Sequence, residues 1–134
     1  MSDWNAQIIE EFRANDGRVG GMFDGKPLLI LHTTGAKTGQ LREIPLMYQS
    51  LEGGYAVFAS KGGAPGNPAW LHNLKANPGV KVELGIKTVA ATARVADSYE
   101  RQPIWERQVA DYPQFGEYQE NTDRTIPVVI LDPN

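Results

Sequence analysis

The sequence predicts a mainly β protein, an antiparallel sheet or barrel of about six strands with short peripheral helices. Three observations carry this. Short β-prone runs recur through the 134 residues; the 14 glycines and 9 prolines fall between those runs rather than in one tract; and most connections are turns. Parallel pairing would need a crossover of helical length after nearly every strand. The length fits one domain, 1–134, of which 1–21 form an N-terminal helix and lead-in. A formal charge of -3, from 13 basic and 16 acidic residues, offers no overall field for a polyanion, so no nucleic-acid partner is expected. The absence of cysteine excludes disulfides, thiolate nucleophiles and cysteine-based metal sites. No run approaches the roughly 20 apolar residues of a spanning helix, and acids stand where a signal peptide has basic residues. A cytoplasmic location is therefore expected.

From Ser2 to about Ala14, Trp4, Ile8 and Phe12 recur four apart among polar residues, a helical face closed by Asn15, Asp16 and Gly17. Ser2 or Asp3 is its candidate cap. The face suits a cover for a barrel end or sheet, with a partner or the inner face of the cell membrane as the alternative. LLILHT, 28–33, is a first strand running into polar residues and Gly35. Further strands are expected at Arg42–Gln49 and Tyr55–Ser60, across the turn-like EGG at 52–54, and Pro45 marks an edge or a bulge in the former. KVEL at 81–84 and the alternating TVAATARV at 88–95 read as a hairpin across Gly85, and IPVVIL at 126–131 as the sixth strand. Two helices interrupt the series. Asn67 with Pro68 predicts a capped start for a helix that buries Trp70, Leu71 and Leu74 and ends at Pro78. Ser98–Ala110 predicts another, delayed or kinked by Pro103. Tyr112, Phe115 and Tyr118 follow three apart, placing three rings on one side of a short helical turn, as core or as a ligand wall.

Catalytic constellations of the usual kinds are scarce. His32 and His72 are far apart, neither lies in HExxH, and no carboxylates have metal spacing, so no metal is expected. His32 reads as a rim or structural residue and His72 as lying on the outer side of its helix. Ser60 lacks the GxSxG context of an exposed hydrolase nucleophile. TTGAKTGQLR, 33–42, combines glycines, hydroxyls, Lys37 and Arg42; it reads either as an ordinary turn or as an oxyanion-binding loop. ASKGGAPGNP, 59–68, leaves a strand with Ser60 and Lys61 and lets Gly62 and Gly63 approach a ligand before a helix begins. Two such loops could grip opposite parts of an extended anionic cofactor.

In these loops the chain resembles the deazaflavin-dependent nitroreductase and quinone reductase family, which uses coenzyme F420. The resemblance runs through RANDGRVGG (13–21), TTGAKTGQLREIPLMY (33–48), ASKGGAPGNPAWLHNLKANP (59–78) and DYPQFGEYQENTDRTIPVVIL (111–131). It implies a split β-barrel and hydride transfer from reduced F420 to a quinone or another electron-poor acceptor, such as a nitro compound or an enone. An FMN-binding split-barrel oxidoreductase and a non-catalytic deazaflavin carrier are the alternatives. Residue by residue, it assigns Lys37, Thr38, Gly39 and Arg42 to the phosphate and acidic tail, with Pro45 and Leu46 continuing that strand. Ala59, Ser60, Lys61, Gly62 and Gly63 match the segment holding the deazaflavin and ribityl part, followed by Pro68 and Trp70. Tyr48, Tyr112, Phe115 and Tyr118 match the acceptor wall, and Ser60 or Tyr118 is the candidate donor to the acceptor oxygen. Phe115 stands where the nitroimidazole-activating member has tyrosine. A monomer or a homodimer is expected, with peripheral membrane contact through the N-terminal helix as the open partner question.

Overall fold

Short β-prone runs, some alternating and some apolar throughout, supply side chains for a shared interior, and the six strands enclose it by closing on themselves. The computed structural model describes residues 2–134, without the side chains of residues 2, 3 and 22. The strands are β1 (Leu28–Thr34), β2 (Leu41–Leu51), β3 (Gly54–Phe58), β4 (Gly79–Leu84), β5 (Lys87–Val95) and β6 (Val128–Pro133). They form an antiparallel barrel in the order β1-β2-β3-β6-β5-β4, closed by β1 against β4. Its interior holds Leu29, Leu31, Val57, Val82, Val129 and Leu131, all with no exposed surface, with Trp70, Leu71 and Leu74 packed against them. Those last three come from α2 (Ala69–Ala76) and plug the barrel.

Helix α1 (Ser2–Ala14) lies outside. Ile8, Ile9 and Phe12 are buried against Leu28 and Ile30 of β1, so its apolar face is the barrel cover that the periodicity predicts. Trp4, on the same face one turn earlier, is 52% exposed. The side chains of Ser2 and Asp3, expected to cap this helix, lie outside the described residues. A second outer cluster joins Phe58, Val128 and Ile130 to α3 (Ser98–Asp111) and α4 (Gln114–Glu120) through Trp105, Phe115 and Tyr118.

Several details depart from sequence expectation for local reasons. Asn67 does not cap α2: its Oδ1 accepts from Arg124 Nη1 at 3.0 Å, and Pro68 holds the N-cap position without a side-chain hydrogen bond. Pro103 does not delay α3, which starts at Ser98 because Asp97 accepts from the Glu100 amide at 2.8 Å. Only the bond from position 103 to the Tyr99 carbonyl is lost. Strand β6 begins at Val128 rather than Ile126: the Ile126 amide and carbonyl are taken by Gln119 and Arg101. Strand β3 ends at Phe58 rather than Ser60, where the chain turns out of the barrel. Tyr112 follows α3 as its C-cap, so the three aromatic residues share one cluster but not one helix.

The barrel is not evenly sealed. β2 has eleven residues and β3 five, and they pair only from Tyr48 with Val57 to Leu51 with Gly54. Residues 41–47 of β2 therefore bond to β1 alone. The Tyr48 amide donates to the Pro27 carbonyl, so by strand alternation the amide of residue 45 would point away from β1, where no strand receives it. Pro45 thus occupies a local edge within a closed barrel, as its sequence position predicts.

Candidate functional site

Where β2 and β3 part, a cavity of about 510 Å³ opens. One wall is the run Ile44, Pro45, Leu46 and Met47, which β3 does not pair; the opposite wall is Ser60, Lys61 and Gly62, continued by Pro68 and Trp70. Phe115, Tyr118 and Gln114 of α4 form a third side, and Trp4, Phe23 and Lys26 stand at the N-terminal side. Two lysines line this space and no carboxylate does, so its field is positive despite the acidic whole chain.

The 59–67 segment has an unusual backbone for a sequence reason. Lys61, Gly62 and Gly63 take successive left-handed φ values of 46°, 63° and 83°. Glycine adopts these readily, whereas Lys61 carries local strain. A Cβ on Gly63 would lie 2.7 Å from the Tyr118 carbonyl oxygen, so glycine there lets the loop rest on α4. At Gly62 a Cβ would meet nothing within 4 Å, which leaves backbone open to the cavity.

The other loop is exposed. Gly35 donates to the Gln40 carbonyl at 2.7 Å and Gly39 to the Gly35 carbonyl at 3.0 Å, which closes the turn, while Gly39 takes a φ of 71°. Asn73 of α2 and Asn77, its C-cap, hold the base of the loop: Asn73 Oδ1 accepts from the Ala36 amide at 3.0 Å and Asn77 Nδ2 donates to the Thr34 carbonyl at 3.3 Å. Lys37, Thr38 and Arg42 are exposed, and neither Lys37 nor Arg42 forms an ion pair among the described residues. Arg42 is three residues from Pro45 along an extended strand, roughly 10 Å.

Of the residues expected at a site, Pro45, Leu46, Ser60, Lys61, Gly62, Pro68, Trp70, Phe115 and Tyr118 meet at this cavity. Lys37, Thr38, Gly39 and Arg42 form the basic loop at one end of β2. Ala59 and Gly63 are buried beneath the segment rather than lining it. Phe115 is 5% exposed, its ring set edge-on to Phe58 at 5.5 Å and to Tyr118 at 5.4 Å. Tyr112 packs in the same aromatic cluster behind the cavity. Tyr48 is elsewhere: it points into the barrel, edge-on to Tyr55 at 5.7 Å, and lines a separate cleft with Lys87 and Leu84. Burial pushes its phenol pKa up. The β2 residues at the cavity end with its neighbour Met47. Sequence reading also misses Lys26 and Gln114, which reach the cavity from distant parts of the chain, and Arg124, whose hydrogen-bond acceptors lie 57 to 65 residues away.

The topology also gathers His32, Glu43 and Glu83, whose ligand atoms lie within 4.8 Å of one another, a trio that sequence spacing could not show. Arg13 of α1 occupies both carboxylates at 2.6 Å, and His32 Nε2 lies 2.6 Å from Glu83. Hydrogen bonding from Arg13, helped by His32 and opposed by burial, holds the Glu83 carboxyl below its usual range. The group reads as an ion-pair rivet between α1 and the barrel, with its acids already compensated.

A small barrel with a carboxylate-free slot walled by an indole, a proline and aromatic rings, and a basic loop at the end of one wall, has the chemistry to suit a flat ring compound with an anionic tail. The cavity admits that group, since Gly62 leaves backbone uncovered and the donors are hydroxyls and cations. The family model described as F420H(2)-dependent quinone reductase matches residues 4–133. The chain belongs to that family, and it is an oxidoreductase that takes reduced coenzyme F420 as cofactor. An F420H(2)-dependent quinone reductase of Mycobacterium tuberculosis is 41% identical over 126 residues, spanning 90% of this chain and 83% of the relative. A solved F420-H2 dependent reductase is 47% identical, with a TM-score of 0.73 over 79% of this chain and 94% of that one. Another solved relative, described as a domain-swapped dimer, is 42% identical, with a TM-score of 0.75 over 98% of both chains. Among the described residues, no helix is long and apolar enough to cross a membrane.

Proposed function

We propose that the cavity between β2 and segment 59–68 is where this chain brings reduced F420 and a quinone together. When bound, the cofactor supplies a hydride from C5 of its deazaflavin ring. Ser60, Lys61, Gly62, Pro68 and Trp70, facing Pro45 and Leu46, hold the ring part; Lys37, Thr38, Gly39 and Arg42 receive the phosphate and acidic tail by charge-assisted hydrogen bonds. Ala59 and Gly63 support the ring segment from beneath. The observation that carries this reading is the meeting of nine expected residues on one cavity without a carboxylate.

The acceptor lies against Phe115 and Tyr118, with Met47 in the place expected for Tyr48 and Tyr112 behind the wall. Its reduction to the hydroquinone takes one hydride and one proton. Ser60 and Tyr118 carry the hydroxyls at the cavity; a hydrogen bond from either to the acceptor oxygen stabilises negative charge as it develops there. Water or that hydroxyl then delivers the proton. The apolar rings exclude competing solvent and favour a flat conjugated acceptor. Nitro compounds and enones meet the same wall, but with Phe115 lacking a hydroxyl the quinone is favoured. The domain-swapped relative favours the homodimer of the two expected assemblies, and the expected location is the cytoplasm.

The test is a titration of purified protein with F420, followed by anaerobic oxidation of the reduced cofactor against a panel of quinones, nitroimidazoles and enones. Saturable binding with fastest oxidation by quinones is the expected result. Tight binding of FMN in preference to F420 overturns the assignment, and F420 binding without acceptor-dependent oxidation makes the protein a carrier.

A further inference from the structure

Arg124 lies between α4 and β6, outside regular structure. Its guanidinium donates from Nε to the Ala64 carbonyl at 2.9 Å, from Nη1 to the Ala59 carbonyl and Asn67 Oδ1 at 3.0 Å each, and from Nη2 to the Ser60 carbonyl at 2.8 Å. Four of its five N–H groups are thereby used on one segment. It forms no ion pair among the described residues. The residue is itself held in place. Gln119 of α4 donates to the Arg124 carbonyl at 2.7 Å and accepts from the Ile126 amide at 3.0 Å, while Arg101 of α3 donates to the Ile126 carbonyl at 2.9 Å. Between those contacts, in the middle of the segment, Gly63 rests on the Tyr118 carbonyl.

These contacts link two sides of one cavity. Segment 59–67 carries Ser60, Lys61 and Gly62, and α4 carries Phe115 and Tyr118. The segment belongs to no strand, and its left-handed residues do not hold themselves in place through a sheet ladder. We infer that Arg124 is a positioning residue: its planar fork fixes the backbone of segment 59–67 against α4 and so sets the cofactor side of the cavity relative to the acceptor side. The inference rests on the proposed reading of that cavity. It is a claim about the fork rather than the charge alone. A lysine keeps the charge but presents one compact ammonium, which does not span four acceptors addressed from three nitrogens.

Arg124→Lys and Arg124→Met in the full chain separate these contributions. Hydrogen–deuterium exchange of the 59–67 peptide, measured without cofactor, is expected to quicken about tenfold or more in both variants while the β4–β5 hairpin is unchanged. F420 titration is expected to show Kd raised about tenfold or more in both, with kcat lowered at saturating cofactor and the quinone KM within about twofold. Wild-type exchange in the 59–67 peptide of both variants overturns the inference whatever the cofactor does. A lysine variant that matches wild type in Kd and kcat while methionine is impaired also overturns it, since charge alone would then suffice. Failure of wild type to bind F420 refutes the cavity reading, whereas the exchange result still decides whether Arg124 fixes the segment. Should Arg124→Met not fold, Asn67→Ala replaces it: loss of one acceptor is expected to quicken exchange in the same peptide by a smaller factor, and no change counts against the inference.

Discussion

Segments 35–40 and 59–67 both join glycines to a lysine and a hydroxyl side chain, yet they are built differently. The first is a turn closed by its own backbone, with Lys37 and Thr38 in solvent and the side-chain amides of Asn73 in α2 and of Asn77 at its C-cap holding the base. The second runs through three left-handed residues, buries Gly63 and is gripped by a guanidinium from 57 to 65 residues away. Glycine in the exposed loop permits a turn; at Gly63 it permits contact with another helix. The contrast suits two tasks. A rigid wall beside the reacting ring preserves transfer geometry, while an exposed basic arm can follow a charged tail of variable conformation. Helix α2 connects them, starting where one segment ends and reaching the other through Asn73 and Asn77.

The sharpest way to break the contrast is Gly63→Ala. The added Cβ would stand 2.7 Å from the Tyr118 carbonyl oxygen at a φ of 83°, so a stability loss on the order of 2–4 kcal/mol is expected. Thermal unfolding checks it, with Gly39→Ala as the partner measurement: φ there is 71° but nothing lies within 4 Å, so its loss should be about 1 kcal/mol. Equal losses would erase the distinction between the loops.

Next in size, Lys37→Ala with Arg42→Ala should weaken binding of full-length F420 about tenfold or more. A tail-less deazaflavin should lose less than about twofold, and added salt should narrow the difference. Equal losses for both ligands would move these residues away from the tail. Asn73→Ala should have a smaller effect, roughly threefold in Kd for the tailed cofactor, because about 1 kcal/mol of hydrogen bonding to Ala36 is removed while the barrel core is intact. Comparing the two ligands again decides whether the change lies in the arm.

The smallest effect concerns the rivet beside Arg42. Because Glu83 is held ionised chiefly by Arg13, its contribution to stability is fully present above the unfolded carboxyl pKa, about 4.3, and is lost as pH falls through the lower folded value. Glu83→Gln should therefore be less stable than wild type at pH 7, and the gap should close below about pH 4. Denaturant unfolding at pH 7, 5 and 3 measures it. A gap that persists unchanged at pH 3 would remove ionisation as the cause.

Much of this architecture is legible in the residues, with limits that have physical causes. β-prone runs between turn residues place all six strands, with alternation marking the one at 88–95, and Pro45 marks the local edge, because those signals act within a few residues. Strand ends are harder: Ile126 is as β-prone as Val128 but has its amide and carbonyl committed to Gln119 and Arg101. Nine residues of the cavity wall are legible through the family resemblance, whereas Tyr48 stands one residue past the β2 run that lines the cavity, where β2 begins to pair with β3, and lies beside Tyr55 instead. Asn67 has the chemistry of a helix cap and loses that role to a guanidinium. Arg124 itself is invisible to local reading, since three of its four acceptors are main-chain carbonyls, which every residue possesses.

The shortness of β3 has a consequence for how molecules of this protein meet one another. Residues 41–47 leave one side of β2 without a neighbouring strand, and an open strand side is a template on which a foreign chain can add by main-chain bonding. Pro45 sits midway along it. Its ring removes the amide that an incoming strand would need, and it does so without disturbing the bonds to β1, which alternate to the other side. The same residue that walls the slot therefore withholds from an incoming strand one of the main-chain donors that side of β2 would otherwise offer.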